Sequence, residues 1–249
     1  MAVKEVLLTD IEDNFGNHDK VKALESEIEL LSQLHHPNIV RYIGTSRDEK
    51  YLNVFMEYQA GGSIATLLQK YNFFTEGLIK IYTKQILDGL EYLHAHNVIH
   101  RDIKGANVLV HSNGTCKLAD FGGAKLLKEY GPDQYNSLKG TPYWMAPEII
   151  KQENAGRQAD IWSVGCTILE MATGVPPWSE YKNHYTALFY IAQSNNPPPF
   201  PSHLSSLALD FLYNCFKRNP KERWNVFKLL RHPFLSNATI SSQLSQDEF

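Results

Sequence analysis

The sequence predicts an α+β chain in which a small β-rich lobe precedes a larger helical one. Two runs rich in β-branched and aromatic residues, 39–43 and 51–58, lie within the first 58 positions. Gln59-Ala60-Gly61-Gly62 then breaks the pattern, and helical spacing dominates from Ser63 onward. The expected division is residues 1–58, residues 59–235, and a tail over 236–249 that reads as disordered.

Each element has its own signal. Residues 1–8 form a short, largely apolar opening that reads as a strand, followed by a polar, acidic loop through Lys20. Val21, Leu24, Ile28, Leu31 and Leu34 recur at helical spacing, and Pro37 stops that helix. Ser63 caps the next helix, and 78–94 is a long amphipathic one ending near Asn97. Short strands and turns fill 98–120, and further helices are expected near 160–173, 185–194, 207–217 and 226–230.

Composition excludes several classes. The chain has 249 residues, 43% hydrophobic and 20% charged, which is enough apolar surface for a substantial core. A net charge of -3 gives no footprint for nucleic acid or a membrane surface. The one dense basic patch, Lys217-Arg218 with Lys221 and Arg223, encloses Glu222 and reads as a solvated helix end. Cys116, Cys166 and Cys215 are far apart and read as buried small hydrophobes, not as a zinc site or a disulfide framework. No run of about 18 apolar residues exists, and the apolar stretch 164–169 stops at Glu170. Lys4, Glu5, Asp10 and Asp13 are at odds with a signal peptide, so a cytoplasmic protein is expected.

The chemistry concentrates in His100-Arg101-Asp102-Ile103-Lys104-Gly105-Ala106-Asn107, followed by Asp120-Phe121-Gly122 and Ala146-Pro147-Glu148. A polar turn can use Asp and Asn to satisfy backbone groups. Such a turn would not require the neighbouring His, Arg, Phe and Gly. In this order and spacing the three motifs resemble the catalytic loop, metal-binding motif and activation-segment end of eukaryotic serine/threonine protein kinases. The resemblance covers about residues 1–235.

That resemblance implies a two-lobed protein-kinase fold and transfer of the ATP γ-phosphate to protein Ser or Thr. By it, Asp102 orients the substrate hydroxyl and Lys104, a residue characteristic of serine/threonine members, stabilises the γ-phosphate. Asn107 and Asp120 would supply oxygen ligands to Mg²⁺, a hard ion that binds oxygens and phosphates. Ala2-Val3-Lys4 resembles the third-strand lysine motif, so Lys4 would bind the α/β-phosphates and pair with Glu27. Glu25 and Glu29 would point away if Leu24, Ile28 and Leu31 face inward. Met56 would be the gatekeeper, the Glu57 carbonyl and Gln59 amide would read adenine, and Ala2 and Leu109 would sandwich its ring. His100 and Phe121, with Leu31 and Tyr42, would form a hydrophobic stack anchored by Asp160, while Glu148 and Arg223 would form a buried ion pair.

Gly61-Gly62-Ser63-Ile64, His36-Pro37-Asn38-Ile39-Val40 and Gly140-Thr141-Pro142-Tyr143-Trp144-Met145 resemble MAP kinase kinase kinases of the Ste-type group, which implies a MAP kinase kinase as protein substrate. Within the activation segment, Ser137 matches the activating phosphorylation site, gripped by Arg101 and Lys125. Thr141 is the rival site, at the position of a Thr that bonds Asp102 and Lys104. Trp224 departs from the pattern, since relatives usually carry Pro after that Arg.

The family's Gly-x-Gly-x-x-Gly loop is missing, because no two of the 15 glycines lie two positions apart. A fragment of an active kinase is the expected reading, and a non-catalytic interaction module with impaired ATP binding is the alternative. Weak nucleotide affinity is expected for residues 1–249 alone.

Overall fold

The computed structural model describes residues 1–7, 28–121, 124–126, 141–153, 156–236 and 238. The expectations for Glu25, Glu27, Ser137 and the tail beyond 238 lie outside the described residues.

The first sheet contains β1 (Ala2–Leu7), β2 (Tyr42–Arg47) and β3 (Tyr51–Met56), antiparallel in the order β1-β3-β2. Its register pairs Ala2 with Met56 and Lys4 with Val54. Strand alternation leaves Val3 and Glu5 exposed and turns Ala2 and Lys4 toward the protein. The run expected at 39–43 starts later, and the reason is burial. Ile39 and Val40 are spent on the second layer: Ile39 bridges Leu118 in parallel, and the Val40 N–H donates to the Leu118 carbonyl at 2.9 Å. The ladder to β3 therefore begins only at Tyr42, with a bulge before Gly44. Residues 28–33 are helical, and Leu31 and Leu34 enter the core while Glu29 is exposed.

The helical part follows its caps. Ser63 Oγ accepts from Thr66 N–H to open α1 (Ile64–Tyr71), and Thr75 Oγ1 accepts from Leu78 N–H to open α2 (Glu76–Ala95). Two small antiparallel pairs follow: β4 (Val98–Ile99) with β7 (Lys125–Leu126), and β5 (Val108–Val110) with β6 (Cys116–Leu118). Helix α3 (Pro147–Ile150) leads to α4 (Arg157–Thr173), in which every residue from Ala159 to Ala172 is buried. A helix with no polar face must lie in the middle of a layered core. Gly174 closes it at φ +79, and a Cβ there would meet the Asn72 carbonyl oxygen at 1.9 Å, so only glycine fits. Helices α5 (His184–Gln193), α6 (Ser206–Cys215) and α7 (Val226–Leu230) pack around it, capped by Asn183, Ser205 and Asn225.

The basic patch is corrected by burial. Lys217 and Lys221 are exposed, but Arg223 is 3% exposed and bonds both Glu148 oxygens at 2.6 and 3.0 Å. Arg218 is half-buried and donates to the Ile191 carbonyl at 2.6 Å, at the end of α5. Trp224 also has a structural use. Its N–H donates to the Asn214 carbonyl at 3.3 Å, a bond that proline has no hydrogen to make. All three cysteines are free and buried, and burial pushes their thiols up.

Candidate functional site

A cleft of 390 Å³ lies between the first sheet and the β5–β6 pair. Of the residues singled out above, Ala2, Lys4, Met56, Glu57, Asn107, Leu109 and Asp120 line it. Apolar side chains of Val40, Val54 and Leu31 complete a wall suited to a flat ring. Gln59 is not among the lining residues; its side chain is buried, and neither amide atom has a hydrogen-bond partner. Glu57 also does something the sequence did not suggest. Its Oε1 accepts from Arg41 N–H and from Lys117 Nζ, each at 2.6 Å, tying the connector after β3 to β6.

At one end of the cleft the Lys4 ammonium stands 3.4 Å from Asp120 Oδ1. Asp120 is half-exposed and holds φ +59, and Arg101 holds φ +71. Both are left-handed positions that a non-glycine residue occupies at a cost of about 1–3 kcal/mol, as strained functional loops often do.

Beside the cleft, Asp102 is the centre of a polar cluster. Asp102 Oδ2 accepts from Lys104 Nζ and from Asn107 Nδ2, both at 2.8 Å, and Oδ1 accepts from Thr141 Oγ1 at 3.1 Å. Lys104 Nζ also donates to Thr141 Oγ1 at 2.5 Å. Thr141 therefore joins the two groups the resemblance said it should. Asn107 spends its amide hydrogens on the carbonyl and carboxylate of Asp102. Asn107 and Asp120 both line the cleft, and the amide oxygen of the one and the carboxylate of the other are hard donors. Among the described residues no group of three His, Cys, Asp or Glu side chains could cage a metal by itself. Two oxygen donors on the wall of an open cleft suit Mg²⁺, which completes its shell with phosphate oxygens and water.

The loop is held from below. Asp160 is fully buried and accepts from His94 Nε2 at 2.9 Å, His100 N–H at 3.0 Å and Arg101 N–H at 2.8 Å. Burial alone would raise its carboxyl, but His94, His100 and the Arg101 N–H together hold it below the usual range. His100 stacks on Phe121 with centroids 5.0 Å apart. Its Nε2–H donates to the Ala119 carbonyl and its Nδ1 accepts from Asp102 N–H, which requires the neutral ring.

Burial lowers the His100 pKa from 6.5, against the pull of Asp160, Asp102, the Ala119 carbonyl and Asp120. In the unfolded chain the same ring takes up a proton more readily. Stability contributed by this residue is therefore full above about pH 6.5 and is lost as the pH falls through that value toward the folded-state pKa. Thermal melts between about pH 8 and pH 5.5 should show Tm falling on the acid side. His100→Phe should flatten that slope, and an unchanged slope in the variant would refute the assignment.

Sequence reasoning passed over Glu170. Its Oε2 accepts from Gly105 N–H at 2.9 Å and from Trp144 Nε1–H at 3.0 Å. Burial pushes its carboxyl up, against the Gly105 and Trp144 donors and Lys104. The available signal was its position: an acid that ends an apolar helical run has a partner or a high cost.

The comparisons agree with this geometry. The protein kinase domain family matches residues 1–235. Mitogen-activated protein kinase kinase kinase A of Dictyostelium discoideum is 51% identical over 243 residues, 98% of this chain and 26% of that protein. Mitogen-activated protein kinase kinase kinase 2 of Arabidopsis thaliana is 48% identical over 95% of this chain and 37% of its own length. Mitogen-activated protein kinase kinase kinase 19 of Homo sapiens is 43% identical over 96% of this chain and 18% of its own. The chain thus spans well under half the length of these relatives. With the family match running through both the sheet and the helical part, the chain belongs to the protein kinase family and is similar to its MAP kinase kinase kinases.

Proposed function

We propose that this chain is the catalytic domain of a serine/threonine protein kinase that phosphorylates a MAP kinase kinase. The observation that carries this reading is the bonded set Asp102, Lys104, Asn107 and Thr141 beside a cleft bearing Lys4 and Asp120.

On this reading ATP places its adenine between Ala2 and Leu109, past Met56, with the Glu57 carbonyl and the Gln59 amide at its edge. Lys4 takes the α/β-phosphates, and Glu27 pairs with it. Asn107 and Asp120 hold Mg²⁺, which neutralises phosphate charge when bound. Asp102 accepts a hydrogen bond from the substrate hydroxyl and aims its oxygen at the γ-phosphorus. Lys104 stays beside the transferred group and offsets its charge. Relatives named as MAP kinase kinase kinases support the substrate class. No described helix is long and apolar enough to cross a membrane, and a cytoplasmic location fits such a substrate.

The test is to incubate the full-length protein with Mg-ATP and a MAP kinase kinase and to identify the modified residue type. Phosphate on Ser or Thr supports the proposal. No transfer, or transfer to Tyr, would overturn it, and no transfer would favour a non-catalytic interaction module.

Two activation-segment variants separate shape from regulation. Thr141→Val keeps the volume but removes both hydroxyl bonds, so kcat should fall by about 10- to 100-fold whatever the phosphorylation state. Ser137→Ala should instead leave basal activity in place and blunt activation, because the phosphate that orders the segment is lost. Full activation of Ser137→Ala, or Thr141→Val activity within twofold of wild type, would count against these roles.

A further inference from the structure

A second cavity, of 420 Å³, opens where the end of α2 meets the starts of α4 and α7. It shares no lining residue with the nucleotide cleft. Its volume falls in the range of small-molecule sites, about 300–1,000 Å³. Ala95, Ile161 and Val226 give it an apolar lining, while Arg157 and Glu91 bring one charge of each sign.

The two charges are not equivalent. Arg157 is half-buried, and its Nη2 donates to Asn97 Oδ1 at 2.7 Å. Its Nε–H is shut off from solvent and has no acceptor, and no carboxylate among the described residues pairs with the guanidinium. An N–H of a charged group that has lost water and gained nothing in return is unfavourable until an acceptor arrives. Gly156 caps α4 without a side chain, so the helix start adds positive potential at Arg157. Glu91 is under no such pressure, because neither of its oxygens is buried without a partner.

We infer that this cavity binds a small monocarboxylic acid with an apolar body. The carboxylate pairs with Arg157, supplying both the missing charge and the acceptor oxygens that a guanidinium takes in pairs. The apolar body lies on Ala95, Ile161 and Val226 and leaves water behind. Glu91, on the same lining, works against a second negative charge and so favours a monoacid over a diacid. His94 also lines the cavity, and its Nε2 bonds Asp160, which holds the His100 and Arg101 N–H groups. An occupant therefore stands one side chain away from the support of the Asp102 loop. The site stands on its own residues and does not depend on the kinase reading.

The probe is phenylbutyrate, titrated into the full-length protein by calorimetry. It should bind with a Kd below about 1 mM, and the uncharged phenylbutanamide should bind at least about tenfold more weakly. Arg157→Gln should weaken phenylbutyrate by about tenfold or more, whereas Glu91→Gln should leave its affinity in place or raise it by up to about threefold. Ala95→Phe fills the cavity from an exposed position, and binding should be lost although Arg157 remains. If Arg157→Gln does not fold, Ala95→Phe and the amide probe carry the test. A blocked leucine–glutamate–leucine tripeptide, which offers the same groups on a longer chain, should bind no more tightly than the free acid. Several results would overturn the inference: no binding at about 10 mM, acid and amide binding alike, or affinity unchanged in Arg157→Gln or Ala95→Phe. Weaker binding in Glu91→Gln, or tighter binding of the tripeptide, would overturn it as well.

Discussion

Asp102→Asn should lower kcat for protein phosphorylation by roughly 10²- to 10⁴-fold, the range spanned by loss of a positioned acid–base group. Asparagine preserves the shape and one acceptor oxygen. It removes the charge that orients the hydroxyl and that Lys104 and Asn107 bond at 2.8 Å. Asp102 does not line the cleft, so the Kd for Mg-ATP should change by no more than about twofold. Calorimetry and steady-state kinetics on the same preparation separate the two effects. Activity within about tenfold of wild type would remove Asp102 from the proposed role.

Arg223→Ala should cost about 3–5 kcal/mol of folding stability, the penalty for leaving one partner of a buried ion pair without the other. Glu148 is 3% exposed and has both oxygens on this guanidinium. The same side chain donates to the carbonyls of Lys217 and Gln158, and it stacks 5.1 Å from the Trp162 ring. Total stabilities of about 5–15 kcal/mol make this loss a large fraction of the whole. Urea denaturation of wild type and variant reads it directly, and a loss below about 1 kcal/mol would show that the pair is dispensable.

Much of this architecture was legible because it is local. Ser63 announces a helix start and caps one, and the helices expected near 160–173, 185–194, 207–217 and 226–230 are found as Arg157–Thr173, His184–Gln193, Ser206–Cys215 and Val226–Leu230. The bonding of Thr141 to Asp102 and Lys104 followed from the family motif, whereas the bonds from Lys104 and Asn107 to the Asp102 carboxylate came only from the structure. What was not legible depends on contacts distant in sequence. Ile39 and Val40 look like strand residues, and only their pairing with Leu118 shows that the small sheet does not use them in its ladder. Charge pattern alone places Arg223 in a solvated basic run, and only the family resemblance paired it with Glu148, 75 positions earlier, as the structure does. The Glu57 carboxylate carries no sequence signal for Arg41 or Lys117.

The backbone near Arg41 and the connector at Glu57 run side by side, joined by the Glu57 N–H to the Arg41 carbonyl at 3.0 Å and by the Glu57 side chain. The same carboxylate also takes Lys117 Nζ of β6, so one side chain joins the end of the small sheet to the layer below it. Replacing Glu57 would leave both the Arg41 N–H and the Lys117 ammonium without this acceptor.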